Sequence, residues 1–281
     1  FIATIILILV YIIIASEVMH RTLAAMLCAA AILFISYTVG TFNSDYFILS
    51  FEGAIQAIDM NVIFLLMAMM IIVGVLKKTG VFQWMAYRSY LRAKGNIYVL
   101  ATILMVVTAV CSAFLDNVTT MLLMIPVTIE IAMALKINPV ALLMPEVFAS
   151  NIGGTATLIG DPPNIMIGSY AGLSFMDFVN NLGLVCVVCL VFTVIYFLFW
   201  YKKEYQKAHM SVEEVKTLTE KLREEYQITN GKLLAQAGTV LLITIALFIC
   251  HGILHMEPSV AALIGAAILL VISRVDIEIG R

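Results

Sequence analysis

Charge is what this 281-residue sequence has least of: only 12% of its residues are charged, against roughly a quarter in soluble domains. That scarcity, with 63% hydrophobic residues and a mean hydropathy of +1.06, excludes an ordinary soluble domain and indicates a polytopic all-α membrane protein. No basic stretch precedes the apolar start, so no cleavable signal is read, and the missing initiator Met suggests a trimmed N-terminus. The five cysteines, Cys28, Cys111, Cys186, Cys189 and Cys250, all fall in apolar runs, as packing residues do, and form no disulfide or zinc framework. His251 and His255 have i, i+4 spacing but no third ligand or intervening Glu, so no transition-metal site is expected. An HExxH protease is excluded with them, and Leu158 stands where a GxGD intramembrane protease needs its first glycine. Neither a phosphate loop nor a nucleophilic triad is present, and nothing suggests nucleic-acid binding. The chain is not read as an enzyme.

What is present is a series of apolar runs long enough for about 30 Å of hydrocarbon at about 1.5 Å per residue. They lie at 1–15, 22–40, 60–76, 97–115, 118–135, 139–172, 181–200, 233–251 and 259–273. All 16 lysines and arginines fall between or after these runs, while the loops 41–59, 173–180 and 252–258 carry only acidic charge. One topology therefore puts every basic loop on the cytoplasmic side. The sequence divides into a first transmembrane repeat at 1–200, a cytoplasmic, helix-prone linker at 201–232, and the start of a second repeat at 233–281.

Two places break the apolar pattern. Lys94 and Lys136 sit on the same side, so residues 97–136 must go in and return as a helical hairpin whose tip is "DNVTT", residues 116–120. Length alone admits a tip at the far surface or one within the bilayer. The run 139–172 would make a helix of about 51 Å, far longer than needed. Its break is expected in "SNIGGTATLIGDPPN", where Gly153, Gly154 and Gly160 weaken helix and Pro162 restarts it behind Asp161 as N-cap. The first half-helix is expected over 139–150. Irregular backbone at membrane depth survives only where protein or a wet cavity satisfies it, so hairpin tip and break are expected to share a site.

These residues carry a resemblance. "SAFLDNVTTMLLMIPVTI" and "SNIGGTATLIGDPPNIMI" resemble the two signature segments of the ion transporter superfamily, which includes ArsB arsenite permeases, NhaD sodium/proton antiporters, citrate-transporter-like permeases and the melanosomal P protein. The P-protein-like branch is most similar, with "AIDMNVIFLLMAMMIIVGVLKKTG" and "ITNGKLL" also fitting it. The resemblance implies two inverted repeats, each with a re-entrant hairpin and an unwound helix, and places "DNVTT" near the midplane. The sequence stops at "SRVDIEIGR", where the second repeat would continue, so it is read as an N-terminal fragment whose complementary half supplies the rest of the site.

The expected site follows from both lines. Helix N-termini after Asn117 and Asp161 carry about half a positive charge each, and Asp116 and Asp161 bring carboxylates there; simple N-capping is the competing role. Asn117, Thr119, Thr120, Asn151, Thr155 and Thr157, with the carbonyls of the loop from Gly153 and Gly154 to Asn164, would coordinate sodium or substrate oxygens. Glu146 is a candidate proton relay, and Glu130 an interfacial residue. The implied function is secondary active transport, coupled to sodium or protons, of a small inorganic ion such as sodium or arsenite. A non-transporting half-protein and an ion channel on the same fold are the alternatives. The expected partners are the lipid bilayer, the ion, a second copy in a homodimer and the complementary half. No cofactor is expected beyond a bound sodium ion, and the expected location is the plasma membrane.

Overall fold

The computed structural model describes residues 2–208, 220, 222, 226–254 and 256–274, and every described regular element is helical. Residues up to Asp59 form one compact unit and those from Met60 a second. In the first, α1 (Ile2–Ala15) packs on α2 (Arg21–Phe42), and a loop with a short helix, α3 (Phe51–Gln56), follows. Ser36, fully buried on α2, ties that loop down by accepting the amides of Ile48 and Leu49, both at 3.1 Å.

The second unit holds α4 (Met60–Lys77), α5 (Val81–Ala93), α6 (Ile97–Phe114), α7 (Asn117–Ala134), α8 (Val140–Thr155), α9 (Pro162–Ala171), α10 (Phe175–Trp200), α11 (Lys202–Tyr205), α12 (Gly231–Leu254) and α13 (Pro258–Ser273). Among the described residues six helices, α2, α4, α6, α7, α10 and α12, are long and apolar enough to cross a membrane. Two sub-clusters emerge from the packing: α6, α7, α8 and α10 around the hairpin, and α4, α12 and α13 beside it, with α9 against α4. Gly265 sets the closeness of the second group, since a methyl group there would overlap the Thr244 hydroxyl on α12.

Three stretches differ from the sequence expectation. The basic segment after Lys77 is a helix, α5, because Phe82, Ala86, Tyr90 and Ala93 recur at helical spacing and bury one face, while Arg88 lies over the Trp84 ring at 5.3 Å. α10 begins at Phe175, six residues before the apolar run suggests, because Ser174 and Asp177 form a reciprocal capping box that starts the helix in polar sequence. The linker is anchored at both described ends, although residues 209–219, 221 and 223–225 lie outside the described set. Tyr205 is buried and donates to the Ala141 carbonyl at 2.7 Å, and Thr229 bonds Thr79 and Lys78 through its amide and hydroxyl. Glu204 accepts from the Asn138 amide at 3.0 Å; its hydrogen bond from Lys207 first, and that amide second, hold its carboxyl below the ordinary value.

Candidate functional site

The hairpin turns in two residues. α6 ends at Phe114, Leu115 and Asp116 are extended, and the Asp116 carboxylate accepts the Thr119 amide at 2.8 Å as the N-cap of α7. Thr120, one turn in, is fully buried, and its hydroxyl has no hydrogen-bond partner.

The break in the long run falls later than its glycines suggest. α8 continues through Gly153 and Gly154 to Thr155, and the irregular segment is only 156–161. Gly153 serves close packing instead: a methyl group there would overlap the Ala109 carbonyl on α6. Gly154 and Gly160 similarly let the two ends of the break touch, with a Cβ on Gly154 2.9 Å from the Gly160 carbonyl. α9 restarts with prolines in its first turn. Asp161 occupies its N-cap position, but its side chain makes no capping hydrogen bond, so the expected cap is positional only.

Other side chains hold the break. The Asn164 amide donates to the carbonyls of Gly154, Thr155 and Thr157 at 3.3, 3.2 and 2.9 Å. The Thr157 hydroxyl donates to Ala113 on α6 and accepts the Gly160 amide at 3.2 Å. These two residues spend polar atoms on satisfying the unwound backbone, which apolar surroundings would otherwise leave unpaired.

Hairpin turn and break meet directly. The Asn117 amide donates to the Asn151 side-chain oxygen at 2.9 Å, and the Thr155 hydroxyl turns back to the Asn151 carbonyl at 2.8 Å. Ser150 lies within hydrogen-bond reach of the Ser112 hydroxyl at 3.1 Å and the Asn117 carbonyl at 3.3 Å. Sequence reasoning passed over both serines, although each opens one of the two polar segments. Asp116 and Asp161 are close enough for their charges to interact. Asp116 and Thr119 also line a cavity of about 500 Å³ whose other walls include Val73, Ile159 and Ile165, with Lys77 at its edge. Asn151 and Thr155, one helical turn apart, are exposed on the same side of α8.

Glu146, one turn before Ser150 on α8, is fully buried, and the Thr128 hydroxyl lies 2.9 and 3.3 Å from its two oxygens; Thr128 had no expected role. Glu130 accepts from the Tyr226 hydroxyl at 2.7 Å, joining α7 to the end of the linker. His255 lies outside the described residues. His251 is buried with Nδ1 2.7 Å from the Phe248 carbonyl, and no cluster of three or more His, Cys, Asp or Glu exists among the described residues.

A helical, membrane-spanning scaffold with a polar hairpin tip locked to an interrupted helix defines an integral membrane protein built as transporters are. The chain belongs to the CitMHS family, described as citrate transporter, whose family model matches residues 11–279, within the ion transporter superfamily. It is 40% identical over 263 residues to an uncharacterized transporter of Mycobacterium tuberculosis, covering 94% of this chain and 58% of that protein. It is 41% identical over 275 residues to a 46 kDa membrane protein of Mycobacterium leprae, covering 98% and 62%. The human P protein is 40% identical over 222 residues, covering 76% of this chain and 26% of that protein. The family is described as a transporter family, and the relatives named as transporters are not enzymes.

Proposed function

We propose that the chain carries the ion site of a secondary active transporter, coupled to sodium or protons, that moves a small inorganic ion such as sodium or arsenite. The observation that carries this reading is the Asn117–Asn151 bond, which locks the hairpin turn to the interrupted helix beside Asp116 and Asp161. Asp161 leaves its carboxylate free of capping, and Asp116 has one oxygen beyond the one that caps α7. Together with the Asn117, Asn151, Thr119 and Thr155 oxygens they make a hard-cation donor set. The buried Thr120 hydroxyl, one residue along α7 from Thr119, lacks a partner. Gly153 and Gly154 bring the backbones close, and Thr157 and Asn164 shape the loop, so these four are positioning residues. Glu146 is the candidate proton carrier, because a carboxyl group at that depth costs least when it can hold a proton.

α4 supports a hairpin tip short of the far membrane face. Its residues 66–77 line the cavity with the tip, while Asn61 near its start reaches Ser169 at the end of α9, at 3.4 Å. The tip therefore lies beside the middle and basic end of α4, with α9 running about 15 Å beyond it. In this reading the basic loops face the cytoplasm and the host bilayer is the plasma membrane. A tricarboxylate cargo, which the family description suggests, is disfavoured by the two carboxylates, since Lys77 is the one cation among the described cavity residues.

Ion-gradient-driven flux in sealed vesicles tests the site, comparing the parent with Asp116→Asn and Asp161→Asn. Each variant is expected to lose most coupled flux and to change its pH dependence. A transporting parent matched by both variants at every pH would reduce the carboxylates to caps and end this assignment.

A second reading has its own observation. Asn151 and Thr155 are exposed beside the site, and the chain spans 58% of the Mycobacterium tuberculosis relative, so a complementary half would complete the donor set. Saturable flux by this chain alone would refute that requirement.

A further inference from the structure

A second cavity, of about 330 Å³, lies where the start of α4, the end of α9, the end of α12 and the start of α13 come together. Asn61, Ser169, His251 and Glu257 give it a polar lining. Asn61 pins three of these elements, donating to Ser169 at 3.4 Å and accepting the Ser259 amide at 3.2 Å. His251 is 8% exposed. A carbonyl only accepts, so the Nδ1 facing Phe248 carries a hydrogen. No lysine or arginine occurs among the described lining residues. The Glu257 carboxylate with the Asn61 and Ser169 oxygens, and no lysine or arginine beside them, gives a mouth that favours cations.

This cavity and the hairpin cavity are back to back. Ile165 lines both. Leu65 and Leu158 line the polar cavity, while their chain neighbours Leu66 and Ile159 line the hairpin cavity. Leu65, Leu158 and Ile165 are each no more than 2% exposed, so the side chains between the two cavities are buried and apolar. Ile165 rides on α9, ten residues held between the irregular segment 156–161 and Gly172, whose φ of 66° is left-handed. An element that short with irregular chain at both ends can tilt without unfolding its neighbours.

We propose that the polar cavity is the loading vestibule for a cation, and that Ile165 is the side-chain barrier between it and the hairpin cavity. The proposal rests on the transporter reading and gives that site an access route and a cargo charge.

Thiol accessibility in sealed vesicles tests it, with impermeant cationic and anionic methanethiosulfonate reagents added to either side and the five native cysteines setting the background. Ser169→Cys is expected to react from the side opposite the basic loops, faster with the cationic reagent, and Glu257→Gln should shrink that preference severalfold. Faster reaction with the anionic reagent, or reaction only from the basic side, overturns the vestibule. Thr119→Cys is expected to be protected from that same side. Adding Ile165→Ala should speed its reaction at least about tenfold, a factor worth about 1.4 kcal/mol, with Ile165→Val intermediate. An unchanged rate in a variant whose Ser169→Cys still reacts overturns the barrier. Should Ile165→Ala abolish the Ser169→Cys reaction as well, Ile165→Val decides by the same comparison. Labelling reports access alone, so failure here is separable from loss of the carboxylate site, which the flux assay reads.

Discussion

Asn164 shows how a polar residue in an apolar run divides its roles. Its amide nitrogen faces three carbonyls of the interrupted helix, and without it those buried or part-buried oxygens would lose their side-chain partner. Asn164→Ala is therefore expected to destabilise the protein by about 1–3 kcal/mol, the usual cost of orphaned buried polar groups. Thermal unfolding in detergent measures this, and a melting temperature equal to the parent's would mean that the carbonyls find other partners. Asp161, three residues earlier, makes no such internal bond, which is why it and not Asn164 is the residue we propose as ion ligand. Residue type alone does not separate the two, because both stand in the same "GDPPN" segment.

Pairs of helices place the site, above all α6 against α8. Gly153 faces the Ala109 carbonyl with no room for a methyl group, and Ser112 and Ser150 meet one turn away. Gly153→Ala should force the two backbones apart at a cost of about 1–3 kcal/mol and carry Asn151 away from Asn117. The combination checks the point: lower thermal stability together with weaker cation protection against unfolding is expected, whereas full retention of both would show that α8 can shift freely. Helix propensity predicts that paired glycines end a helix, and here they do not. Packing energy gained along α6 exceeds the propensity cost of about 1 kcal/mol per glycine, so the helix persists to Thr155.

On the scale of the whole molecule, the burial pattern is that of a protein whose solvent is partly lipid. α10 is 26 residues long with only 6% of its most apolar window buried inside the protein, and its exposed side chains include Phe192, Phe199 and Trp200. In water that surface would drive aggregation; in a bilayer it is ordinary. The two tryptophans make this testable, because Trp200 is 64% exposed on α10 while Trp84 packs with Arg88 on α5. In bilayers of brominated lipid, a variant retaining only Trp200 (Trp84→Phe) is expected to be quenched much more strongly than one retaining only Trp84 (Trp200→Phe). Equal quenching would place α10 against protein.

The positions of the apolar helices, the hairpin and the existence of an interruption before Pro162 were legible in the sequence, because hydrophobic run length and proline chemistry are local properties. The start of α10 and the helix α5 were also written there, in the Ser174–Asp177 box and the Phe82, Ala86, Tyr90 spacing, though in polar sequence where run length gives no signal. Only the tertiary structure decided that Asn117 meets Asn151 across 34 residues, that Gly153 packs instead of breaking, and that Ile165 stands between two cavities. Those outcomes depend on which helix faces which, and that choice is set by the summed packing of whole surfaces, which no local stretch encodes.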